Sequence, residues 1–118
     1  MIERQEILAY AKEKFNTDPD YPWSKYPDYA VLRHEGNGKW YGLIMKVPGI
    51  KLGLTEKGNV DILDLKCDPT LNGILRSEQG ILSAYHMNKK HWITIVLHSS
   101  FPKQEIYNLI NFSYDLTK

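Results

Sequence analysis

The chain predicts an α+β domain: an antiparallel β-sheet packed against N- and C-terminal helices. Both ends carry apolar residues at helical spacing, and the middle is a series of short apolar, β-branched and aromatic runs. These runs are separated by glycine-containing turns of the hairpin kind. With 118 residues, 42% hydrophobic and 25% charged, the composition is that of one globular domain and not of a disordered chain.

In the first helix, over roughly residues 2–15, Ile7, Leu8, Ala11 and Phe15 fall on one face, with Arg4, Lys12, Glu13 and Lys14 elsewhere. Glu3 and Glu6 suit the positive end of its dipole, and Asn16-Thr17-Asp18-Pro19 stops it, because a residue before proline avoids the α region. Residues 17–28 interleave Pro19, Pro22 and Pro27 with Tyr21, Trp23 and Tyr26, which predicts a loop whose aromatics pack down as core material. Tyr29–His34 and Lys39–Val47 read as strands joined by the turn Glu35-Gly36-Asn37-Gly38. In the second strand Tyr41, Leu43, Met45 and Val47 are expected on one face, alternating with Trp40, Gly42, Ile44 and Lys46.

Pro48-Gly49 closes that strand. Ile50–Thr55 reads as a short irregular strand and Glu56-Lys57-Gly58-Asn59 as another turn. Val60–Lys66 is a strand that continues into Cys67, with Leu63, Leu65 and Cys67 on one side and Ile62, Asp64 and Lys66 on the other. Asp68-Pro69 starts a short helix, acid as cap and proline first, with Leu71, Ile74 and Leu75 as its apolar side and Gly80 as its stop. Ile81–Lys90 is expected to be a connecting loop and His91–Leu97 a buried strand. Ser99 or Ser100 is expected to cap the last helix, in which Ile106, Leu109, Ile110 and Ser113 share a face flanked by Tyr107 and Tyr114.

The 15 basic and 14 acidic side chains nearly cancel, which argues against a strong polyanion binder. The signs are nevertheless segregated. No acid lies between Glu78 and Glu105, an interval holding Lys89, Lys90, Lys103, His86, His91 and His98, nor between Glu35 and Glu56, which holds Lys39, Lys46 and Lys51. If the fold joins the two intervals, they make a mildly basic face able to attract phosphate with modest, salt-dependent affinity. The single Cys67 excludes an internal disulfide and fits a reducing, cytoplasmic setting. The acidic start and the absence of a long apolar stretch predict neither a secretory signal nor a membrane span.

Little in the chain signals catalysis. Cys67 falls on an apolar strand face, Asp61 and Asp64 point to opposite faces, and His86 and His91 lack a third ligand of clear spacing, so no cofactor and no metal are expected. What stands out is Tyr85-His86-Met87-Asn88-Lys89-Lys90-His91-Trp92 at the mouth of a buried strand. Lysine and histidine meet phosphate, asparagine reads base edges, and tryptophan stacks on bases. The structural alternative is that His86 and Trp92 pack while Asn88 caps a turn.

Lys66-Cys67-Asp68-Pro69, Tyr85-His86-Met87-Asn88-Lys89 with His91-Trp92, and Ser113-Tyr114, together with Gly38-Lys39-Trp40-Tyr41 and Trp23, resemble the signature of the MmcQ/YjbR family in order and spacing over nearly the whole chain. The resemblance implies a small bacterial α+β domain related to the "double-wing" DNA-binding fold of a phage transcription factor. Ser83-Ala84 stand where that family often has proline before the small residue. The resemblance implies a DNA-binding-like role, and the leading expectation for this chain is a DNA-binding module, non-enzymatic and monomeric. In it Lys39, Lys89 and Lys90 would meet phosphates and His86, Asn88 and Trp92 would form a central patch, with Lys46 and His91 also among the nucleic-acid-binding residues. The alternative is a small-ligand or protein-interaction module with a pocket around the Tyr85–Lys89 loop.

Overall fold

A computed structural model of the chain describes residues 1–55 and 57–118. Its elements run α1 (Arg4–Phe15), β1 (Ala30–Arg33), β2 (Trp40–Pro48), a 3-10 turn (Gly49–Leu52), β3 (Asn59–Lys66), α2 (Pro69–Leu75), β4 (Ile81–Ser83), β5 (Trp92–Val96) and α3 (Lys103–Leu116). The strands form one antiparallel sheet in the order β1-β2-β3-β5-β4. The expected α+β architecture is therefore present, with the terminal helices where their periodicity placed them.

The helices cover one face of the sheet. Ile7 and Ala11 of α1 and Ile106, Leu109 and Ile110 of α3 pack with Leu32, Ile44, Leu63, Leu65, Ile93 and Ile95, and Leu71 and Leu75 of α2 border the same core. Burying each aliphatic side chain of this kind stabilises the fold by about 1.5–3 kcal/mol. The opposite face is covered by irregular chain. Val31, Leu43, Met45, Val47, Ile62 and Val96 lie beneath Trp23 and Tyr29, beneath Leu52 and Leu54, and beneath Tyr85 and Met87.

Several local expectations are corrected. Ile81–Ser83 is not loop but a short edge strand, paired with β5 from Ile81↔Ile95 to Ser83↔Ile93. The first part of Ile50–Thr55 is a 3-10 turn ended by Gly53 in the left-handed region, not a strand. The turn read at Glu56–Asn59 includes Glu56, which lies outside the described residues. Neither Ser99 nor Ser100 caps α3. Pro102 occupies that position, Ser99 accepts from the Phe101 N–H and Ser100 donates to Gln79. In α2, Ile74 is exposed, and the buried side chain is Asn72.

The alternation expected along β2 breaks at its start. Leu32 pairs with Gly42 but Arg33 with Trp40, so Tyr41 is the extra residue of a β-bulge. The bulge turns Tyr41 to the helix side, where its hydroxyl donates to Thr17 at 2.6 Å, while Leu43, Met45 and Val47 keep the opposite face. Burial pushes the Tyr41 phenol up to about 12, so it remains a donor over the working pH range. Ser113 bridges this irregularity: its hydroxyl donates to the Tyr41 carbonyl at 2.6 Å and accepts from the Lys66 N–H at 3.0 Å. Ser113→Ala leaves both backbone groups without that partner and is expected to lower unfolding free energy by about 1–2 kcal/mol. Urea denaturation checks it, and an unchanged midpoint would remove Ser113 from the account of the bulge.

Candidate functional site

The β4–β5 connection, residues 84–91, does not hang free; it folds back over the sheet face away from the helices. The Asn88 side-chain oxygen accepts from the N–H groups of Lys90 and His91 at 2.9 and 3.1 Å. Asn88 therefore closes a tight turn, as the structural alternative for it held. The Asn72 amide reaches across from α2 and donates to the carbonyls of Lys89, Lys90 and Trp92 at 3.1, 3.1 and 2.9 Å. The Lys89 ammonium donates to the Ala84 carbonyl at 2.6 Å, clasping the loop to its own start. Tyr85 N–H donates to Thr94 Oγ1 at 2.8 Å, tying the crossing chain to β5. His86 takes φ 61°, a left-handed conformation that a side-chain-bearing residue adopts at a cost, and its ring lies 4.0 Å from that of Tyr85.

A second irregular segment approaches from the β1 side. Asp20 pairs with Val31 through N–H···O contacts of 2.9 and 2.8 Å and holds Arg33 at 2.6 Å, which pins the proline-rich loop to the sheet edge. Trp23 then stands edge-on to both Tyr29 and Trp40, at 6.0 and 5.7 Å, while Tyr26 stacks on Tyr29 at 4.7 Å. Burial, with Tyr85 and Tyr26 nearby, raises the Tyr29 phenol above its ordinary range.

Between the two segments lies a cleft of about 600 Å³. Trp23, Tyr26, Tyr29 and Trp40 form one wall, Tyr85, His86 and Met87 the other, and Leu43 and Met45 the floor. Lys46, Pro48, Lys51 and Asn59 complete the lining, and among the described residues no acidic side chain takes part. A volume of this size, mostly apolar with few polar groups, is characteristic of small-molecule sites. The Trp23–Tyr29 half was not foreseen as a site. Its signal was the alternation of prolines and aromatics, which predicted a packed loop but not which ring faces stayed open.

The residues singled out from the sequence divide into groups. His86 is on the cleft wall and exposed. Trp92 is 8% exposed and faces protein. Asn88 and Lys89 are engaged within the loop, leaving the Asn88 amide nitrogen free of the turn. Lys90 and His91 are exposed just ahead of β5, and Lys39 just ahead of β2, so these three lie at the same end of the sheet, where β3 finishes at Lys66. Lys46 borders the cleft near the other end of β2, where it pairs with Asp61, and the length of the strand separates it from Lys39. The four lysines thus do not share one surface.

Most of the remaining signature residues serve the fold. Asp68 accepts from the Leu71 N–H at 2.9 Å and caps α2. Cys67 is buried, which pushes its thiol up to about 11 and leaves it unreactive. Tyr114 stacks on Phe15 at 3.8 Å. Among the described residues no three His, Cys, Asp or Glu side chains cluster as a metal ion requires, and no helix is long and apolar enough to cross a membrane.

Comparison with known proteins agrees with this architecture. The chain is 56% identical to the uncharacterised protein YyaQ of Bacillus subtilis (strain 168), over all 118 residues and the whole of that protein. It is 32% identical over 77 residues to the uncharacterised protein YjbR of Escherichia coli (strain K12), 64% of this chain and 65% of that one. A crystal structure of a Pseudomonas syringae protein, 49% identical, superposes with a TM-score of 0.97 over 99% of this chain and 100% of that one. A Deinococcus radiodurans protein with a DUF419 domain, 24% identical, shares the fold with a TM-score of 0.71 over 95% of this chain and 75% of that one. The YjbR family profile matches residues 12–116, and the chain belongs to the YjbR family.

Proposed function

We propose that the protein is a non-enzymatic small-ligand-binding module and that its ligand is a planar aromatic ring bearing an anionic group. The observation that supports this is the cleft itself: aromatic walls from two separate loops, an aliphatic floor, and Lys51 and His86 at its edge with no acid among the described lining residues. Rings that stack on aromatic side chains gain about 1–3 kcal/mol each, and an anion beside an exposed lysine adds up to about 1 kcal/mol. Trp23 and Trp40 line the cleft, so titrating aromatic carboxylates and phosphates against intrinsic fluorescence reports occupancy directly. Saturable quenching is expected, together with a concentration-dependent rise in Tm. Trp40→Ala is expected to weaken binding by about 10-fold or more. Lys51→Gln should weaken anionic ligands but not their neutral analogues. Equal binding of neutral analogues, or no saturable signal, would overturn the assignment.

A second function, contact with DNA phosphates by the double-wing architecture that the resemblance implies, is favoured by one observation. Lys39, Lys90 and His91 occupy one end of the sheet, on strands within about 10 Å of each other. It predicts weak duplex binding that is lost between low and moderate salt, and binding indifferent to salt would exclude it.

A further inference from the structure

Pairs across the sheet align into one row on the cleft side: Val31 with Leu43, Leu43 with Asp64, Asp64 with Thr94, and Thr94 with Leu82. A carboxyl therefore sits at the centre of an apolar row, fully buried. Thr94 donates its hydroxyl to Asp64 Oδ1 at 2.5 Å, and the same Thr94 oxygen accepts from the Tyr85 N–H. The other carboxyl oxygen, Oδ2, is buried with no partner among the described residues. The element lying over this polar pair is the 84–91 loop, which also forms a wall of the cleft.

We infer that Asp64 is a positioning residue for the cleft, acting through Thr94 and Tyr85: the loop stays down while the Asp64 carboxyl is neutral and is released when it ionises. The physical reason is the orphaned oxygen. A neutral carboxyl tolerates an unpartnered oxygen in an apolar row, whereas a carboxylate there calls for water, which reaches it when the loop lifts. Burial, opposed by the Thr94 hydrogen bond and the Lys89 charge, pushes the Asp64 carboxyl up to about 7. Lowering of the loop binds a proton, so the closed form is fully favoured below the ordinary carboxylate range. It is lost progressively as pH rises toward about 7, and the effect levels off above that. Among the described residues, few charged groups face Asp64. Lys89 comes from the loop and Lys66 from the same side of β3, while β2, β5 and β4 present Leu43, Thr94 and Leu82. His86 and His91 are on the same loop, so a variant lacking both separates their contribution from that of Asp64.

This regulation concerns the cleft assigned above, but it is measured without a ligand, so its failure and that of the ligand assignment are distinguishable. Hydrogen exchange of the Tyr85 amide, corrected for intrinsic base catalysis, is followed from pH 5 to 8. Protection in the parent protein is expected to fall by about 10-fold or more between pH 5 and 7 and then level off. Asp64→Asn should flatten that dependence, while the double variant His86→Gln with His91→Gln should keep it. Should Asp64→Asn fail to fold, Thr94→Val decides: with the link to Tyr85 gone, protection should be low and nearly independent of pH. Protection in the parent that does not change with pH, or a dependence that vanishes in the histidine double variant, would overturn the inference.

Discussion

Asn72→Ala is expected to lower unfolding free energy by about 2–3 kcal/mol and to loosen the whole 84–91 loop. The cause is concentrated in one nitrogen. It donates to three backbone carbonyls, those of Lys89, Lys90 and Trp92. The side-chain oxygen of Asn72 is buried and has no partner among the described residues, so the three carbonyls fix its orientation. Asn72→Asp separates this account from simple loss of volume. It keeps the shape but points a second oxygen at three carbonyl oxygens, and should cost more than alanine. Urea denaturation of the two variants, read beside exchange at the Trp92 and His91 amides, checks both claims. If aspartate proved no worse than alanine, the three-carbonyl clamp would not be what holds the loop. Because the loop is one wall of the cleft, either variant should also weaken ligand quenching without touching a lining residue.

Elements with a strong period were legible in the sequence. The Ile106, Leu109, Ile110 and Ser113 spacing names the residues that α3 buries, and the Leu63–Leu65–Cys67 alternation names the helix-facing side of β3. What was not legible depends on partners distant in sequence. The bulge at Tyr41 arises from the β1–β2 register and has no local signature. β4 has three residues, too few to show a period of two, and exists because β5 offers it a ladder. For the site, the Tyr85–Trp92 cluster was visible as an unusual concentration of polar and aromatic groups, but not its internal division of labour. Asn88 turns the chain, Trp92 packs, and His86 faces the cleft. Asp64 reads as one polar residue on a strand until Thr94, 30 positions later, is placed beside it.

Gly80→Ala is expected to cost about 2–4 kcal/mol, a large share of the stability of a domain this size. Two effects add at this position. Its φ of 88° lies where an L side chain is strained, which alone accounts for about 1–2 kcal/mol. A Cβ there would also overlap Ser99 Oγ and stand 3.0 Å from Ser99 Cβ and 3.2 Å from Phe101 Cβ. The backbone cannot easily move aside, because the Gly80 carbonyl accepts the Val96 N–H at 2.8 Å just before β4 begins pairing with β5. Pairing the substitution with Ser99→Gly removes the nearest obstacle and leaves the backbone strain. The double variant should therefore recover about half of the loss, a coupling that a double-mutant cycle in urea measures. An Ala variant within about 0.5 kcal/mol of the parent, or no coupling to Ser99, would mean that the chain relaxes here at little cost. The β4 start would then be too pliable to fix the loop that follows it, and the cleft wall would owe its position to the Asn72 and Thr94 contacts alone.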